Sequence, residues 1–73
     1  MTNETKIQAQ IIFNAIKAMS AAYEQMHGDE NDEIDSILYS VDCMMAPGGD
    51  FDDAEILETC FDCLQMATES FFN

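Results

Sequence analysis

Positive charge is almost missing from this chain: of its 73 residues two are Lys, none is Arg, and neither Lys, Arg nor His follows His27. Glu4 and Glu24 offset Lys6 and Lys17, so Met1 to His27 is electrically balanced, while the other 13 carboxylates all lie between Asp29 and Glu69. A chain without a basic patch is a poor ligand for nucleic acid or for an anionic membrane surface, because both are held chiefly by Lys and Arg. Long apolar runs are also absent. Nothing approaches the roughly 20 consecutive apolar residues of a membrane span, and the opening has neither the basic start nor the apolar segment of a secretory signal. The expected location is therefore the cytoplasm, that of the host if the chain is phage-encoded. Strand-like alternation and internal repeats are missing as well, so a β architecture and a solenoid are not expected. The three cysteines are an odd number that closes no disulfide framework, which fits free thiols in a reducing compartment.

What is present is apolar and acidic. Apolar residues make up 48% of the sequence, too many for a disordered acidic tail, so one small domain over residues 1–73 is expected. A formal charge of −13 goes far beyond the magnitude of roughly 2–8 that keeps a small domain soluble. Charge of one sign at this density repels itself and weakens the compact state, and added salt should relieve that.

The spacing of apolar residues predicts three helices. In the first, about residues 3–27, Ile11, Ile12, Ala15, Ile16, Met19, Ala22, Tyr23 and Met26 fall on one side of a helical wheel. Thr2 or Asn3 is the expected N-cap, and Gly28 the left-handed residue that ends the helix. At about 1.5 Å per residue this helix would be some 37 Å long, the longest in the chain. Ile7 lies beyond one edge of the stripe, and Phe13 falls on the polar side near Lys6, Lys17 and Ser20. These two are candidate contacts for a second copy, since a core this small seldom supplies more than a few kcal/mol.

A second helix, about 31–45, follows from Ile34, Ile37, Leu38, Val41, Met44 and Met45, with acids in its first turn complementing the helix dipole. Pro47, Gly48 and Gly49 then break the chain. Within Asp50 to Asp53 there is another N-cap for a third helix, about 52–72, which would bury Ile56, Leu57, Cys60, Phe61, Leu64, Ala67 and Phe71. Short connections make the expected fold all-α, an antiparallel three-helix bundle with a long first helix and scope to form a homodimer.

The third helix carries the most informative pattern. Glu55, Glu58, Asp62 and Glu69 lie in a narrow sector opposite the buried side, interrupted only by Met66. Successive charges stand about 5–6 Å apart along the axis, and about twice that across Met66. The second helix places Asp32, Asp35 and Asp42 on its outer side with Tyr39 among them, a ring that can anchor a contact at small entropic cost. Any bundle has polar outer faces, but ordinary ones mix Lys with Glu to gain favourable i,i+4 pairs, and these rows do not.

Catalytic and metal motifs are weak. Cys60 and Cys63 form a C-x-x-C, but inside a helix rather than at its start. A four-ligand zinc site would also need Cys43 and His27, at opposite ends of the second helix. Calcium loops counted from Asp29 or Asp50 lack the required glycine or the final bidentate acid. His27 is the single histidine, suited to the dipole at a helix C-terminus, and no triad is apparent. No enzyme, metal site or cofactor is expected. The sequence instead predicts a small acidic inhibitor or regulator that binds the basic groove of a nucleic-acid-binding protein or nuclease complex by imitating phosphate charge. Antirestriction and anti-CRISPR proteins are of this general type, an analogy of charge and size only. The alternative is an α-helical homodimeric adaptor whose acidic surface provides only solubility.

Overall fold

The computed structural model describes residues 2–46, 49 and 51–73. They form α1 (Asn3–His27), α2 (Asp32–Met45) and α3 (Asp53–Phe72), packed against one another, with no strand among the described residues. None of these helices is long and apolar enough to cross a membrane.

Each helix starts on a side-chain oxygen that accepts from a free first-turn amide. Thr2 accepts from the Thr5 N–H at 3.2 Å, Asn31 from Ile34 at 3.1 Å and Asp52 from Glu55 at 2.8 Å. At the end of α1, Gly28 has φ 76° and its N–H bonds to the Glu24 carbonyl at 2.8 Å. A Cβ at Gly28 would meet nothing within 4 Å, so the left-handed backbone, rather than crowding, selects glycine there. The expected breakers Pro47 and Gly48, and Asp50 of the expected third cap, lie outside the described residues.

Contacts between helix ends fix the directions. Asp53 at the start of α3 meets Thr2 and Thr5 at the start of α1, and Tyr23 near the end of α1 meets Phe71 with ring centroids 6.3 Å apart. These two helices therefore run the same way. The Asn31 amide, at the start of α2, donates to the Ser70 hydroxyl near the end of α3 at 3.1 Å, so α2 runs opposite. The molecule measures 38 × 18 × 17 Å, and α1 spans the long dimension.

The core is Ala9, Ile12 and Ile16 from α1, Ile34, Ile37 and Val41 from α2, and Ile56, Cys60, Cys63 and Ala67 from α3. Four expectations change here. Ile11, Met26 and Phe61, placed by the wheel on buried faces, are 62%, 65% and 60% exposed. Phe13, expected on the polar side of α1, is half-buried and packs against the core. The stripe that α1 buries runs through Thr5, Ala9, Ile12 and Ile16, displaced around the helix from the expected one.

Candidate functional site: the acidic outer faces

Along α3 the buried residues Ile56, Cys60, Cys63 and Ala67 recur at steps of four, three and four, which leaves the opposite side of the helix outward. Glu55, Glu58, Asp62 and Glu69 all stand exposed there, and Met66, in their row, is 46% exposed. Neither Lys6 nor Lys17 is on this helix, so the row has no base interleaved with it. Glu55 also lies in the first turn of α3, where the N-terminal dipole favours it, whereas Glu69 in the last turn meets the unfavourable end. Part of the row thus costs stability instead of supplying it.

On α2, Asp32 and Asp42 are exposed and Tyr39 is 70% exposed. The Cys43 thiol, first through a side-chain hydrogen bond and then through its charge, and Asp42 more weakly, push the Tyr39 phenol above its usual range. The ring therefore stays neutral at physiological pH. Asp35 is different: it is half-buried and accepts a 2.6 Å hydrogen bond from the Ser20 hydroxyl of α1. That bond turns the α2 row toward α1, and on the helical wheel Ser36, Ser40 and Cys43 separate it from α3. The α3 row is thus a strip by itself, with the α2 acids flanking it around the bundle.

Glu30, Asp32 and Asp35 bring carboxylate oxygens within 4.8 Å of one another, the densest negative focus among the described residues. Such a group attracts loosely held cations. Two of its members are exposed and the third is already engaged by Ser20.

Asp53 is an acid given to structure. Its carboxylate accepts from the Thr2 N–H at 3.0 Å and from the Thr5 hydroxyl at 3.1 Å, and Thr5 is 5% exposed. These bonds, led by the one from the Thr2 backbone, hold the Asp53 carboxyl below its ordinary value. Because the folded pKa is depressed, this stabilisation is present above the unfolded value of about 4 and is lost as pH falls through the folded one. Asp53→Asn should lower the thermal midpoint at pH 7, and the gap from the parent should be smaller in melts at about pH 3, below the unfolded value. An equal gap at both pH values in paired melts would contradict the assignment.

The C-x-x-C pair lies in the core. Cys60 is fully buried and Cys63 is 4% exposed. Burial pushes both thiols up, with smaller contributions from Cys63 on Cys60 and from Asp62 on Cys63. A protonated, enclosed thiol is a weak nucleophile and a weak ligand. Cys43 is exposed. A thiol reagent at neutral pH should label Cys43 first and the other two at least about a hundredfold more slowly, limited by opening of the fold. Three thiols reacting at one rate would show that the pair is accessible.

His27 is exposed and stacks on Tyr23, with centroids 4.2 Å apart, at the end of α1. Comparison with protein-family models, with curated proteins and with solved structures yields no match to this chain. The functional reading therefore rests on its own residues.

Proposed function

We propose that this protein is a small inhibitor or regulator that occupies the basic nucleic-acid-binding groove of a partner protein, its carboxylates standing where phosphates would. The observation that carries this reading is the α3 row: Glu55, Glu58, Asp62 and Glu69 all exposed on one outward strip, with no Lys, Arg or His in the sequence after His27. Ordinary helix surfaces offset such a row with lysines that gain a few tenths of a kcal/mol per pair. Here that gain is forgone along the whole strip. Binding needs no chemical step. Charge steers the encounter, and Tyr39 and Met66, both exposed beside acids, supply local contact area that distinguishes one basic groove from another.

The partner is accordingly a basic nucleic-acid-binding protein or a nuclease complex, in the cytoplasm. Its capture on the immobilised protein, from lysate freed of nucleic acid by nuclease, provides the test. The reading expects a basic protein that is released by excess oligonucleotide and by high salt. A partner that stays bound under both treatments would overturn it.

A second reading, the α-helical homodimeric adaptor, draws on a different surface. The outer side of α1 exposes Ile7, Ile11 and Met26.

A further inference from the structure

Apart from Tyr39 on α2, Met66 in the acidic row and Phe51 before α3, the exposed large apolar residues gather on one side. Ile7, Ile11 and Met26 of α1 are 55%, 62% and 65% exposed, and Phe61 and Phe72 of α3 are 60% and 78% exposed. On the helical wheels of these two parallel helices, all five fall toward the same side, the outer side of the α1–α3 seam. The seam itself opens into a groove of about 300 Å³ lined by Gln8, Ile11, Ile12, Leu57 and Phe61.

The charge pattern singles out the same side. Between Ile7 and Met26 the outward positions of α1 on this side are apolar or amide: Ile7, Gln8, Ile11, Asn14, Ala18 and Gln25. On a molecule of net charge −13 this is a long uncharged stretch, ended by Glu4 one turn before Ile7 and Gln8. We infer that it is the interface of a twofold symmetric homodimer. In such an interface the same patch meets itself, so each charge is brought near its own copy. Two copies that each carry −13 can close on one another only where carboxylates are absent. Apolar side chains meet their own kind without penalty, and amides such as Gln8, Asn14 and Gln25 are both donors and acceptors, hence self-complementary.

The dimensions agree. A side of 38 by 18 Å is roughly 700 Å² in flat projection, and its accessible area is larger, against the ~800 Å² per partner of a standard stable interface. A stable dimer must therefore use nearly the full length of the face, from Ile7 to Met26 and Phe72. The groove admits a large apolar side chain from the second copy. Phe13 takes no part, since it packs against the core. Of the α3 acids, Glu58 and Glu69 stand one turn before Phe61 and Phe72 and so form the rim of this face, where salt screens them. The inference does not depend on the proposed function, because a monomeric charge mimic and a dimeric one are both self-consistent.

Sedimentation equilibrium of the full chain over about 5–500 µM tests it. The expected species weighs about 16 kDa, twice 8.2 kDa, and its association strengthens with salt as the like charges are screened. Ile11→Glu and Phe72→Glu, at opposite ends of the face, should each weaken association at least about a hundredfold, because each buries an unpaired carboxylate. Both residues are exposed in the single chain, so circular dichroism should show unchanged helix content. Tyr39→Glu, on α2, should leave the dimer intact. A parent chain that remains at 8.2 kDa throughout would overturn the inference and leave the face to a partner of another sequence. So would an Ile11→Glu or Phe72→Glu variant that dimerises as the parent does, or a Tyr39→Glu variant that dissociates.

Discussion

Neutralising three acids of the α3 row, as Glu58→Gln, Asp62→Asn and Glu69→Gln, should make the protein more stable while weakening its hold on a basic partner. The stability gain has separate sources. Glu58 and Asp62 are a like-charge i,i+4 pair that costs about 0.2–0.5 kcal/mol. Glu69 sits in the last turn, where a negative side chain opposes the helix dipole by about 0.3–1 kcal/mol. Net charge falls from −13 to −10, which reduces repulsion across the whole molecule. Together these should raise stability by about 1 kcal/mol, or roughly 4–8 °C for a domain of this size. Binding moves the other way. At about 1 kcal/mol for each carboxylate that meets a base in the groove, loss of three lowers affinity by about a hundredfold. A surface that destabilises its own fold is expected where function requires it. If the triple variant gains stability and binds as well as the parent, the acids are only a solvated face. Glu55 is left out because its place in the first turn of α3 stabilises the helix and would blur the result.

The second large effect is on the core. Ile16 is fully buried, one of the four largest side chains that are, in a core whose buried hydrophobic members are Ile, Val, Ala and Cys with no fully buried aromatic. Ile16→Ala should cost about 2–5 kcal/mol, from lost burial and the cavity left behind. A 73-residue domain has roughly 4–11 kcal/mol in all, and dense negative charge places this one toward the lower end. The midpoint should drop by about 10–30 °C and part of the population should unfold at physiological temperature. In protein dilute enough to be monomeric, Ile11→Ala, five residues earlier and 62% exposed, should change stability by less than about 0.5 kcal/mol. Thermal melts of the two variants side by side distinguish the observed burial from the stripe that the wheel alone predicts, in which both isoleucines are core. Equal losses would contradict the packing.

Helix limits were legible in the sequence because each rests on local chemistry. Thr2, Asn31 and Asp52 cap amides three residues ahead, and Gly28 takes the left-handed turn, so α1, α2 and α3 begin and end within a residue or so of their expected places. The identity of the buried face was less legible. A wheel centred on the large apolar residues of α1 chose Ile11 and Met26. The helix instead buries the steps of four and three through Thr5, Ala9, Ile12 and Ile16. Thr5 and Ala9 are small or polar and carry little weight on a hydrophobicity wheel. Their burial is tertiary: Ala9 contributes to a core closed by α2 and α3, and Thr5 is held by Asp53, which is 48 residues away. A like displacement on α3, which buries Ile56, Cys60, Cys63 and Ala67, leaves Phe61 exposed, so the apolar seam between α1 and α3 was not foreseen. Within the acidic rows, the exposure of Glu55, Glu58, Asp62 and Glu69 follows from periodicity alone. That of Asp35 does not, because its half-burial depends on Ser20, a partner on another helix that no local pattern reveals.

The central claim is that the α3 carboxylates sit where a nucleic-acid backbone would. The most direct measurement is a competition titration on the captured partner, with labelled oligonucleotide bound and this protein added at fixed ionic strength. The account predicts complete displacement of the oligonucleotide, with an apparent affinity for the protein that weakens in proportion to the oligonucleotide present. A ternary complex in which partner, oligonucleotide and this protein remain bound together would contradict it.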